Sequence, residues 1–204
     1  MNFEKLKIGI TGNIGSGKSY VCSLFKNLGI PVFDSDEEAK RLYDRPEIRQ
    51  LMIGHFGEGI YRSDGSLNRH LMASKVFSDP CELGYVESVL YPALNVWFEE
   101  WTEKQQTPYV LYESALIFEK HIEEMFDAVI VVAASEPVRI RRVMLRDGCT
   151  EDQVRARMAH QFSQSEKLNK ADFVVVHEKD DEDAYLMEQV QRIHKSLVLR
   201  GGEE

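Results

Sequence analysis

Eight residues near the N-terminus, Gly12-Asn13-Ile14-Gly15-Ser16-Gly17-Lys18-Ser19, fit the pattern G-x-x-x-x-G-K-[ST]. The spacing has a mechanical basis. Glycines let the backbone curl until successive N–H groups point inward at phosphate oxygens, the lysine reaches the β- and γ-phosphates, and the terminal hydroxyl serves Mg²⁺. The pattern works only between a strand and a helix, whose positive N-terminal end favours the same anion. Both flanks are present. Leu6–Thr11 reads as a strand, and from about Lys18 to Leu28 the apolar residues Val21, Leu24, Phe25 and Leu28 recur at helical spacing. Gly29 is placed to end that helix.

Further apolar runs, Ile30–Phe33, Tyr109–Tyr112, Ala128–Val132 and Phe173–Val176, have the near-continuous Val/Ile character of parallel strands covered on both faces. An α/β fold is expected, a parallel sheet flanked by helices. Residues 1–36 and 107–204 would form the nucleotide-binding core. Residues 37–106, about 70 without a strand signal, read as a helical insertion, with helical stretches at Ala73–Phe77 and around Tyr91–Trp101. Insertions at the C-terminal edge of strands lie where substrates bind. A second polar helical excursion, about 147–169, has the position of a lid.

Composition narrows the function. Lys and Arg number 25 against 34 Asp and Glu, a net charge of −9, which disfavours a nucleic-acid partner. No apolar run approaches the ~20 residues of a membrane span, and Met1–Lys7 leads into a strand without a signal-peptide pattern. Cys22, Cys81 and Cys149 are odd in number and lack a CxxC, so reduced thiols of a cytoplasmic protein are expected. The six histidines show no metal-binding spacing.

Asp34-Ser35-Asp36 ends the second strand. Beside a phosphate loop, one carboxylate can orient or deprotonate an attacking hydroxyl while the other holds metal-bound water. Asp36 could instead be a helix N-cap for the run that follows. Arg142 and Arg146 share a helical face suited to clamping phosphoryl charge, whereas Arg139 reads as part of a solvated face. Trp97 and Trp101, four apart, read as core. Asn169-Lys170-Ala171-Asp172 matches the guanine-reading N-K-x-D, but it precedes a strand instead of following one, and the chain has no D-x-x-G. A switch GTPase is disfavoured.

These residues together resemble the dephospho-CoA kinase family over nearly the whole chain. The resemblance is carried by Ile10–Ser19, by Leu28–Asp36, and by Gly65-Ser66-Leu67-Asn68-Arg69 with Val76-Phe77. Ala115-Leu116-Ile117-Phe118-Glu119, Arg146-Asp147 with Thr150, Arg157 and Gln161, and Ala171-Asp172 continue it. The family's Pro-Leu-Leu-Phe-Glu is here Ala115–Glu119, its frequent His-Pro is Tyr91-Pro92, and the usual Asn after the last strand is His177. The resemblance implies a P-loop kinase-type sheet with a helical substrate-binding insertion and a lid. It implies ATP and Mg²⁺, dephospho-CoA as acceptor, and transfer of the γ-phosphate to the ribose 3′-hydroxyl. Lys18, Asp36 and Arg142 are then the expected catalytic residues. Gly12 to Ser19, Arg146 and His177 are the expected nucleotide contacts, Ser19 and (through water) Asp34 the metal contacts, and Asp36, Arg69, Tyr91, Glu119 and Gln161 the acceptor contacts. Another small-molecule P-loop kinase, or a nucleotide-binding switch, are the alternatives; a helical insertion of this size has no role in a bare switch.

Overall fold

The computed structural model describes residues 5–179 and 183–201. Met1–Glu4 and the tail Gly202–Glu204, both covered by the readings above, lie outside the described residues. The chain divides into two compact units, Met1–Asp34 with Gln105–Glu204, and Ser35–Lys104.

In the first unit, β1 (Leu6–Thr11) is followed by α1 (Lys18–Asn27) and β2 (Val32–Asp34). After the second unit come β3 (Tyr109–Glu113) and β4 (Ala128–Ala133). The parallel sheet has the order β2-β3-β1-β4, with a last strand beside β4. Every residue of β3 and β4 is buried, as their apolar runs require, and the burial of β3 extends to the acidic Glu113 at its end. β1 is central, so the phosphate-type loop after it opens at the C-terminal edge, where open parallel sheets bind ligands.

Helix α1 ends as its sequence predicts. Gly29 takes φ 82°, its N–H donates to Lys26 O, and Ile30 N–H donates to Phe25 O. That is a Schellman closure, which needs a residue free of the Cβ penalty at the left-handed position.

In the second unit lie α2 (Ser35–Leu42), α3 (Pro46–Phe56), α4 (Arg69–Ser78) and α5 (Pro80–Glu103). Asn68 Oδ1 accepts from Leu71 N–H and Asp79 Oδ1 from Cys81 N–H, so short polar side chains set the starts of α4 and α5. Ile48, Met52, Ile60, Tyr61, Met72 and Val86 form this unit's own core. The helix expected around Tyr91–Trp101 is the second half of α5, which runs on through Pro92. Its buried face is Leu94 and Phe98, not the tryptophans. Trp97 is half-buried, and its indole N–H donates to Glu38 Oε2 at 2.8 Å under the Arg45 guanidinium, 4.6 Å from the ring centroid. An indole with a polar partner sits at a boundary, and this corrects the core expectation for Trp97.

Back in the first unit, α6 (Glu136–Asp147) leads to α7 (Glu151–Met158) and α8 (Gln164–Asn169), then β5 (Phe173–Val176) and α9 (Asp183–Arg200). Both α7 and α8 start with complete capping boxes, Thr150 with Gln153 and Ser163 with Glu166. Leu186, Val190, Ile193 and Leu197 on α9 complete the core over α1. The guanine-motif look-alike has a structural role: Asp172 Oδ2 accepts Val129 N–H at 2.7 Å, tying β5 to β4. Among the described residues no helix is long and apolar enough to cross a membrane.

Candidate functional site

The loop after β1 is forced into its shape by contacts that exclude side chains. Gly15 (φ 79°) would place a Cβ 2.4 Å from Arg139 O, and Gly17 (φ 85°) would place one 2.1 Å from His177 Nδ1. Ser16 N–H donates to Asn13 O, closing the turn. Gly17 then serves as the N-cap of α1 without a side chain, leaving that end to the backbone amides. A glycine-built helix start of this kind favours an anion.

Lys18 and Ser19 both reach across to β3. Lys18 Nζ lies 2.6 Å from Glu113 Oε1, and Ser19 Oγ donates to the same oxygen at 2.9 Å. Glu113 is the last residue of β3, aligned with Ile10 of β1 on one side and Asp34 of β2 on the other. Burial works to raise its carboxyl. The Lys18 charge and the hydrogen bonds from Lys18, Ser19 and Cys22 outweigh that and hold it below the usual carboxylate range. Cys22, on the next turn of α1, has its thiol pushed upward by burial and then by the Glu113 charge, so it stays protonated. Sequence reading missed Glu113. Its trace in the sequence is one acidic residue closing an apolar run, with no spacing to mark it.

The oxygen donors at this edge are Ser19, Glu113 and Asp34. Hard oxygens suit Mg²⁺, which usually takes one or two carboxylates and fills its shell with phosphate and water. Among the described residues no cluster of three or more His, Cys, Asp or Glu could hold a metal alone. The hard oxygens of Ser19, Glu113 and Asp34 fit Mg²⁺ with further ligands from phosphate and water.

On the other side the loop is braced by the segment between α7 and α8. Ile14 N–H donates to Gln161 Oε1 and Asn13 Nδ2 to Phe162 O, each at 2.8 Å. Phe162 N–H donates to Glu119 Oε1 at 2.8 Å, and that oxygen also meets Lys167 Nζ at 2.8 Å. Glu119 and Gln161, read from sequence as acceptor contacts, thus have these oxygens on protein partners.

The arginines of α6 separate. Arg139, expected to be solvated, is buried at 5% exposure with Nε donating to Ala134 O at 3.1 Å, and the tip of the loop at Gly15 packs on its backbone. Arg142 Nη1 donates to His177 O at 2.9 Å and, weakly, to Ser16 O at 3.5 Å. Arg146 is exposed and paired with Asp147, which Arg157 also engages. Hydrogen bonds from Arg146 and Arg157 hold that carboxyl well below its ordinary range. His177 extends the β5 ladder, its N–H donating to Ala133 O, and its ring stacks on Tyr20 at 5.5 Å. Gly17, Tyr20, Arg142, Leu145, Arg146 and His177 line an open cleft of about 510 Å³ beside the loop. Flat rings and two guanidinium groups make it suited to a purine and its phosphates.

Three expected residues belong to the second unit. Arg69 begins α4 and Tyr91 lies within α5. Asp36 is in the first turn of α2, which begins at Ser35, so the alternative reading of Asp36 as the N-cap is corrected.

A family model described as dephospho-CoA kinase matches residues 6–183. A dephospho-CoA kinase of Hahella chejuensis is 34% identical over 193 residues, covering 94% of this chain and 92% of that protein. The crystal structure of TT1252 from Thermus thermophilus superposes with a TM-score of 0.78 at 33% identity, covering 96% of this chain and 97% of that one. A shikimate kinase from Bacteroides thetaiotaomicron, 13% identical with a TM-score of 0.54, covers 94% and 98% and shares the fold.

Proposed function

This chain belongs to the dephospho-CoA kinase family, and from that premise we propose how its residues carry out the reaction. It is a kinase that transfers the γ-phosphate of ATP to the ribose 3′-hydroxyl of dephospho-CoA, giving coenzyme A and ADP. The observation that carries this reading is the complete phosphate loop with Lys18 and Ser19 gathered on Glu113 at the sheet edge. Lys18 leaves Glu113 for the β- and γ-phosphates and offsets charge that develops as the bond to the leaving oxygen breaks. Ser19, Asp34 through water, and Glu113 would hold Mg²⁺, which when bound would supply charge neutralisation at the phosphates. Asp36 orients the 3′-hydroxyl and accepts its proton as the oxygen bonds to phosphorus. Arg142, anchored on the loop side by His177 O, supplies a forked donor to the transferring group. Tyr20, His177 and Arg146 flank the adenine cleft, and Arg69 and Tyr91 serve the acceptor.

The test is ADP release with and without dephospho-CoA, with adenosine and shikimate as comparison acceptors. Turnover is expected only with dephospho-CoA. Lys18→Ala should lose about 10³-fold in kcat, the lower end for a charged contact in phosphoryl transfer. Turnover with another acceptor but not dephospho-CoA would replace the substrate. Activity of Lys18→Ala within about tenfold of wild type would remove that residue from the site.

A further inference from the structure

Lys167 is fully buried, at 0% exposure. Lysine is almost never enclosed in this way unless it is paired. Its Nζ donates to Ala115 O at 2.7 Å and lies 2.8 Å from Glu119 Oε1. Burial pulls the ammonium below its ordinary range, and Glu119 acts against that shift. Glu119 makes its protein contacts through that one oxygen, since Oε2 is buried with no protein partner.

What Oε1 does beyond pairing the lysine is informative. It also takes the N–H of Phe162, whose carbonyl and neighbouring Gln161 side chain hold Asn13 and Ile14 of the phosphate loop. The chain at 161–162 is thus gripped on one side by a buried charge pair and grips the loop on the other. A buried ion pair is weak evidence for stability, because apolar residues of similar volume often serve as well. An apolar pair, however, offers no acceptor to the Phe162 N–H. We propose that Lys167 and Glu119 are positioning residues for nucleotide binding, which fix Gln161 and Phe162 so that the phosphate loop is held in its binding shape before nucleotide arrives. The proposal rests on the reading above only in that the loop's ligand is a nucleotide.

The full chain carries the test. Amide hydrogen exchange at Ile14 is measured without nucleotide, ADP affinity by calorimetry, and thermal stability alongside. Gln161→Leu should speed exchange at Ile14 and weaken ADP by about tenfold, the effect of losing one hydrogen bond to a part-buried donor. The double variant Lys167→Met/Glu119→Leu leaves no buried charge alone and no acceptor for the Phe162 N–H, and should give the same two changes. Adding Gln161→Leu to it should then produce little further loss, because both act through one contact. If the double variant does not fold, Glu119→Asp keeps the charge for Lys167 but withdraws the oxygen from Phe162, and the same changes are expected. Unchanged Ile14 exchange and ADP affinity in whichever of these variants folds, whatever the melting temperature, would overturn the proposal. Exchange at Ile14 is read without any ligand. Failure of dephospho-CoA as acceptor would therefore overturn the functional reading and leave this one standing.

Discussion

Lys18 and Glu113 form a pair whose two members have different fates on binding. In this structure the lysine is held 2.6 Å from a buried carboxylate, and phosphate must displace that carboxylate to reach it. Because the Glu113 carboxyl is held below its ordinary range, its contribution to stability is present above the unfolded value of about 4.3 and is lost as pH falls through the folded value. Glu113→Gln should therefore flatten the acid limb of melting temperature against pH, most visibly below about pH 4. Parallel curves for the variant and the wild type would show that the pair adds nothing to the fold. The same substitution removes an anion that competes with phosphate for Lys18, so ATP measured without Mg²⁺ should bind more tightly to the variant. The loop itself was readable residue by residue, since each glycine and the Lys-Ser pair sit at fixed spacing. Glu113 was not, because a single acidic residue after an apolar run has no spacing to mark it. It becomes a partner only when β3 is laid beside β1.

Helix α2 shows how an element boundary alters the meaning of one residue. Asp36 lies inside the first turn, followed by Glu37 and Glu38, all three favoured by the positive end of the helix. Removing its charge should cost only about 0.3–1 kcal/mol of stability, the range for a charge near a helix terminus. If it accepts the acceptor's proton, as proposed, it should matter far more to rate. Asp36→Asn is expected to lower kcat by about 10²–10⁴-fold, with ADP affinity unchanged. Intact kcat in Asp36→Asn with a large loss in Asp34→Asn would move the base to Asp34. Strands and α1 were legible in sequence because a run of Val and Ile, or an i, i+3, i+4, i+7 pattern, is local. Arg139 was misread for the opposite reason. Charge on a helix normally meets water, and only the folded chain brings the Arg139 Nε onto Ala134 O and its backbone against Gly15. α5 was seen in half: the expected stretch lay around Tyr91–Trp101, whereas the helix already begins at Pro80 and runs on through Pro92.

At the scale of the molecule, sequence conveyed that a helical segment interrupts a nucleotide-binding sheet. It did not convey which of that segment's aromatic residues face its own core, because a 24-residue helix offers several candidate faces. The distribution of tryptophan makes the division measurable. Both of the chain's tryptophans, Trp97 and Trp101, lie in the Ser35–Lys104 unit, and none lies in the unit with the phosphate loop. Trp97 is bonded to Glu38, two residues beyond Asp36 on α2, and shares α5 with Tyr91. An acceptor engaging Asp36 and Tyr91 would disturb the Glu38 bond and the charge around the indole, and so change its emission. Dephospho-CoA added alone should therefore shift tryptophan fluorescence in a saturable way, and Trp97→Phe should abolish most of the signal. ADP alone, if bound as proposed through Lys18 and the cleft by His177, should leave emission unchanged. A shift with ADP as large as that with dephospho-CoA would place nucleotide contacts on the helical unit. No shift with saturating dephospho-CoA, in a protein that turns it over, would remove Asp36 and Tyr91 from the acceptor's contacts.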